Sequence, residues 1–195
     1  DMQATQPLPA VTDRTPVAVT IYWENDGGFA NPGGTDRHYT SGEALSIAWQ
    51  PKWAADLGAY LPFADYFKAG DPGVGYAVGL IGTQQMFTAE DKTRVNPDAG
   101  DRPYAGDLYL GLYYQRANKH HLDHIQLNVG MIGPSSLARQ AQDMVHDAFG
   151  WDRFKGWNSQ LHDEPGFDVK YIHKWRYDLW TNYAWTLQAI PDAGI

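Results

Sequence analysis

Cysteine is absent from this chain of 195 residues, so neither a disulfide framework nor a thiolate metal site is open to it. The lack leaves the compartment unfixed, because exported proteins also do without cysteine. A basic excess is missing too: 15 Lys and Arg stand against 23 Asp and Glu, a net charge of -8. Nucleic-acid binders carry a basic stripe, so that class is set aside. The acidic surplus leaves room for a divalent cation and otherwise serves solubility. No run of about 18 apolar residues occurs, which excludes a transmembrane helix. It does not exclude a membrane, since a barrel strand crosses in about 9–11 residues with apolar side chains at alternate positions. A mean hydropathy of -0.50 is therefore silent on that question. The chain begins at Asp1 with neither an initiator Met nor a signal peptide, and reads as a mature or trimmed form from which export is inferred.

What is present is period-two alternation. Leu108, Leu110, Leu112 and Tyr114 oppose Asp107, Tyr109, Gly111 and Tyr113; Ile125, Leu127, Val129 and Met131 oppose His124, Gln126, Asn128 and Gly130. From Phe167 to Tyr177, Phe167, Val169, Tyr171, His173, Trp175 and Tyr177 oppose Asp168, Lys170, Ile172, Lys174 and Arg176. Seven strands are predicted, over 16–24, 43–50, 75–87, 106–115, 123–132, 167–178 and 180–189. Residues 1–15, polar and rich in Pro and Thr, read as a flexible lead-in, and 16–195 as one β domain. Strands longer than the usual 5–6 residues or so, with charges on one face, suit an antiparallel transmembrane β-barrel. The same alternation also suits a soluble sandwich that hides its apolar face against a second sheet. Seven strands do not close a wide barrel, so the chain is expected to stop before its architecture is complete.

One segment breaks the rhythm. Residues 135–150 read as a helix, with Pro134 and a serine cap at the start and Gly150 at the stop. Leu137, Ala141, Met144, Val145 and Ala148 form an apolar stripe, while Gln142 and His146 are four apart and share a face. His146 is the candidate general base, with Gln142 able to orient it or a water; the plainer alternative is a surface histidine on an amphipathic helix. Asn25 and Asp26, beside Gly27 and Gly28, offer hard oxygens suited to Ca²⁺, or else form an Asx turn. Thr40 and Ser41 are hydroxyl candidates for a nucleophile or an oxyanion donor. They lack a G-x-S-x-G elbow, which favours water as the nucleophile. Lys92 and Arg94 lie in a loop and can grip phosphate. Asp101 and Arg102 read as a turn-setting pair, and His120, His121, His124 and His162 show no zinc spacing.

In order along the chain, Glu24-Asn25-Asp26, the run Thr35 to Gly42, Asp101 to Gly106, Gly133-Pro134, Gln142 to His146, Trp157 to Leu161 and Asp163-Glu164-Pro165 resemble the LpxR family of outer-membrane lipid A 3'-O-deacylases. The resemblance spans roughly residues 16 to 178. It implies a twelve-stranded outer-membrane barrel and a Ca²⁺-dependent esterase that removes the 3'-linked acyl chains of lipid A, with lipopolysaccharide and outer-membrane lipid as its partners. Carried onto this chain, it implies His146 as the base that activates water. Asn25, Asp26, Thr40 and Gln142 become polar site positions, with Asp26 nearest the calcium, and Lys92 a basic contact to the substrate. Asp152 stands where the family can carry a glutamate. The rival readings are a passive outer-membrane barrel and a soluble, carbohydrate-binding β-sandwich.

Overall fold

A computed structural model describes residues 18–25, 39–68, 73–181, 186–189 and 192–194; the lead-in expected over 1–15 and the candidate Asp26 fall outside them. The elements run β1 (Ala18–Asn25), β2 (Ser41–Trp49), α1 (Trp53–Gly58), β3 (Gly75–Phe87), β4 (Ala105–Ala117) and β5 (His121–Ile132). Then follow α2 (Ala138–Phe149), β6 (Glu164–Trp175), β7 (Tyr177–Thr181), β8 (Thr186–Ala189) and β9 (Asp192–Gly194). Strands β1 to β6 pair antiparallel with their sequence neighbours, β9 adds to β6, and β7 and β8 form a separate hairpin. Among the described residues the sheet is open. The central strands are 12 or 13 residues long, enough to cross a bilayer, which takes about 9–11.

Register sorts the side chains into two faces, because residues directly opposite on neighbouring strands point the same way. Ile21 faces Leu45, Leu45 faces Gly82, Leu80 faces Leu112, Leu112 faces Leu127, and Leu127 faces Val169. This face is apolar and bare: Ile21 is 80% exposed, Leu110 68% and Phe167 70%. A sandwich would have covered it; a lipid-facing wall leaves it open. The opposite face is polar and knitted together. His124 meets Gln126 at 2.9 Å, Gln126 donates to Asn128 at 2.7 Å, and Asn128 donates to Asp168 at 2.8 Å.

The two ends differ. At one, the connections 26–40, 88–104 and 133–163 are all long. At the other, β4 turns into its partner β5 through three residues. Bacterial barrels place short turns on the periplasmic side and long loops outside, which orients the sheet. The exception is the segment 50–74, which carries α1 back over the apolar face at the short-turn end. Ala54, Phe67, Val74, Tyr76 and Tyr114 form a core there, with Tyr114 donating to the Ala54 carbonyl at 3.1 Å.

Arg116, fully buried, is the knot of that end. It donates to Asp123 at 2.8 and 2.5 Å and to the Gly58 carbonyl at 2.5 Å, reaches the Pro62 carbonyl, and lies 4.4 Å from the Phe67 ring. Asp123 also accepts from Tyr171 at 3.1 Å and pairs with His173.

Four sequence expectations shift. The strand expected over 167–178 begins earlier and ends at Trp175, beyond which the Arg176 amide still donates to the carbonyl of His120, its partner in register, at 2.7 Å. The strand expected over 180–189 is instead a hairpin of two short strands. The helix starts at Ala138, not in the serines. Pro134–Ser136 form a 3-10 turn, Leu137 takes a left-handed φ of 60°, and no side chain caps α2. Of the apolar stripe only Ala141 packs against a core: Leu137, Met144 and Val145 are exposed, and Ala138 and Gln142 are the buried positions.

Candidate functional site

The long-loop end gathers most of the candidate residues on the apolar side of the wall. Met86 faces Gly106, and Ser41 faces Met86 and Asn25, so Asn25 shares the face of Trp23 and Ile21. Helix α2 is pressed onto this wall. Gly106 makes the contact possible, since a Cβ there would lie 2.2 Å from Ala138 Cβ and 2.4 Å from Ser136 Oγ. Gln84 donates to the Ser136 carbonyl at 2.5 Å, and the Gly133 amide to the Gly106 carbonyl at 2.8 Å. Gly133 itself turns at φ 100°, a conformation that glycine adopts freely. Replacing Gly106 by leucine should push α2 off the wall at a cost of about 1–3 kcal/mol. Limited proteolysis should then cut within 133–163 faster than in the parent chain; equal rates would show that the helix is held by other means.

Beneath the helix, Met86, Ala89, Tyr104, Ala138 and Trp157 form a core, with Ala141 and Phe154 packed against it. Burial pushes the Tyr104 phenol up to about 12, so it stays protonated. The loops are tied down by polar contacts. The amide and hydroxyl of Ser135 both donate to Asp163 at 2.7 Å, holding its carboxyl below the usual range. Ser159 donates to the Val95 carbonyl at 2.6 Å. Arg153 does for Asp147 what Ser135 does for Asp163, donating at 2.7 Å and lowering its carboxyl.

Gln142 is buried, and its Oε1 accepts the Trp157 indole N–H at 2.7 Å. The indole only donates, so it fixes which way the amide points. The Gln142 Nε2 is left buried with no partner. One turn on, half-buried His146 has its Nδ1 2.6 Å from the Asp152 carbonyl. A carbonyl only accepts, so Nδ1 carries the proton and Nε2 is the basic nitrogen. Both His146 and Lys92 rest on Phe154: the imidazole at 4.8 Å between centroids, the ammonium at 4.8 Å from the ring. The Lys155 amide donates to the Lys92 carbonyl at 3.0 Å, which sets the two loops side by side.

Thr40 is buried at the same rim. Its amide donates to the Met86 carbonyl at 2.9 Å and its hydroxyl meets that of Thr88 at 2.8 Å. Met86 belongs to the core under α2, so that core links the first hairpin to the helix. Glu24 points to the polar face, where Tyr22 and Tyr39 both donate to it. Arg94 pairs with Asp98 within its own exposed loop. Asp101 accepts the amides of Arg102 at 2.7 Å and Glu90 at 2.8 Å, so it shapes the turn, while the Arg102 guanidinium lies 4.5 Å from the Phe87 ring. Among the described residues no group of three His, Asp or Glu could hold a metal.

Two participants were not singled out from the sequence. Phe154 has no motif to mark it. Glu43 sits two positions along β2 from Ser41 on the same face, with Oε2 buried and without a partner.

A family model described as Outer membrane protein LpxR matches residues 2–195. Among solved structures, LpxR from Salmonella typhimurium superposes with a TM-score of 0.66 at 16% identity, over 91% of this chain and 56% of that one. The chain thus spans little more than half the length of that structure, and the likeness shows the fold. No curated protein matches the sequence.

Proposed function

Because the chain belongs to the LpxR family of outer membrane proteins, we propose that it serves a lipid A deacylase that hydrolyses the 3'-linked acyl ester with a water activated by His146. The observation that carries this reading is the Nδ1 contact to the Asp152 carbonyl. It presents Nε2 as a base on the helix packed against the outer face of the wall at the long-loop end. The water adds its oxygen to the ester carbonyl as Nε2 takes its proton. The same proton then goes to the sugar oxygen as the C–O bond breaks, leaving a free fatty acid and a hydroxyl. The unpartnered Gln142 Nε2 is a hydrogen-bond donor suited to the oxygen that gains charge. Lys92, steadied over Phe154, is a cation for the phosphorylated sugar, and Arg94, exposed in the same loop, is a second. Thr40 braces the hairpin end that carries Asn25.

The residues present fit the calcium that the resemblance implies. Glu43 offers a buried carboxylate oxygen without a partner, on the face of Asn25 and Ser41, and hard oxygens are what Ca²⁺ takes. Asn25 and Glu43, with Asp26 next in the chain, would hold the ion, which when bound polarises an ester carbonyl.

The test is mass spectrometry of purified lipid A incubated with the protein, with calcium or with chelator. Loss of a 3'-linked acyl mass that chelator suppresses is the expected result. Unchanged lipid A would return the chain to a passive barrel, and hydrolysis undiminished by chelator would remove the metal. Because Asp152 acts through its main chain, Asp152→Ala should lower the rate by less than the roughly 10-fold that losing a histidine's orienting partner costs. A larger fall would give the carboxylate a role of its own.

A further inference from the structure

At the short-turn end, the apolar face finishes in a cleft of about 400 Å³ between the α1 segment and the β5 and β6 termini. Two of the residues lining it, Arg176 and His121, each hold a buried nitrogen, Nε and Nδ1, without a hydrogen-bond partner. Burying such groups unpaired costs about 1–3 kcal/mol each, more for a charged one, so the cleft is built for an acceptor that the chain does not supply. The main chain of Arg176 is held in place: its amide donates to the His120 carbonyl at 2.7 Å, and His120 Nδ1 lies 3.3 Å from the Arg176 carbonyl. Asp65 also lines the cleft, yet among the described residues no carboxylate is ion-paired with Arg176. The neighbouring Lys119 is answered by Asp178 at 3.6 Å.

The walls are aromatic. Tyr66 stacks on His121 at 4.3 Å, and Trp175 and Tyr177 stand opposite. Trp175 lies on the same face of β6 as Phe167 and Val169, so the cleft opens where the bare apolar wall ends. Phe63 stacks on Tyr66, and Tyr60 and Trp53 of the same covering segment are exposed. Aromatic rings at the end of an apolar wall mark the level of the headgroups.

We propose that this cleft binds the phosphate of a phospholipid headgroup in the periplasmic leaflet. Arg176 and the Nδ1–H tautomer of His121 donate to the phosphate, and Trp175 and Tyr66 flank the glycerol. The proposal rests on the outer-membrane setting and the short-turn orientation, and is independent of the hydrolase reading at the opposite end.

The test is isothermal titration of the full chain in an uncharged detergent with dihexanoyl phosphatidylglycerol, dihexanoylglycerol and inorganic phosphate. The phospholipid should bind at one site per chain, and Arg176→Ala should weaken it about 10-fold, the worth of a charge-assisted hydrogen bond. His121→Phe keeps the stack on Tyr66, removes the donor, and should weaken binding as well. If Arg176→Ala loses the heat-modifiable band of a folded barrel, Arg176→Gln and His121→Phe decide instead. Equal binding of dihexanoylglycerol, or affinity unchanged in both variants, would overturn the site. Inorganic phosphate binding as tightly as the lipid would make it a free-anion site and overturn the lipid assignment.

Discussion

Replacing His146 by alanine should leave a folded barrel whose release of fatty acid from lipid A falls by about 10²–10⁴-fold, the usual worth of a positioned general base. The packing argument predicts little loss of stability, because the imidazole is half-buried and meets Trp151 and Phe154 in T-shaped contacts. The fall should appear in kcat, with KM changed little, since Lys92 and Phe154 stay in place. Gln142→Ala gives a second reading of the same site. It removes the unpartnered donor and also strands the Trp157 indole N–H, so it should cost both activity and stability. Turnover within a few-fold of the parent in His146→Ala would remove the histidine from the chemistry.

The largest loss of stability is expected at the other end. Arg116→Ala strips Asp123 of its guanidinium and frees the Gly58 and Pro62 carbonyls that hold the α1 segment to the wall. Removing one partner of a buried pair costs about 3–5 kcal/mol, and Tyr171 and His173 are then the partners left to Asp123. Loss of heat modifiability at a lower temperature would report it. The double variant Arg116→Ala, Asp123→Ala should be less harmed than the sum of the two single changes, since neither charge is then left alone. Additive effects would mean that the two side chains act separately.

Much of the wall was legible as alternation, because side chains on a pleated strand change face at every residue. Leu110, Leu112, Leu127 and Val129 all fall on the face that the pattern assigned. The ends were less legible. Arg116, Asp123 and His173 sit on the apolar side, where alternation expects no charge. They are tolerated there because a segment some 60 residues earlier in the chain folds over them. Nothing local announces such a cover. The stripe on α2 misled for the opposite reason: helical periodicity finds an apolar face but does not say what that face meets. The helix rests on its small and amide residues, Ala138 and Gln142, and turns Met144 and Val145 outward. For the site, the pairing of Gln142 with His146 followed from helical spacing. Their anchors, the Trp157 indole and the Asp152 carbonyl, are tertiary and left no pattern in the sequence.

The positions of Asn25, Met86 and Gly106 on the lipid-facing side of the wall carry a kinetic consequence. A site there meets its substrate by diffusion within the bilayer plane, so its rate should follow the mole fraction of lipid A among the surrounding amphiphiles. Adding inert detergent at constant total lipid A should slow the reaction by surface dilution, whereas a site opening into the water-filled lumen would be far less sensitive to it.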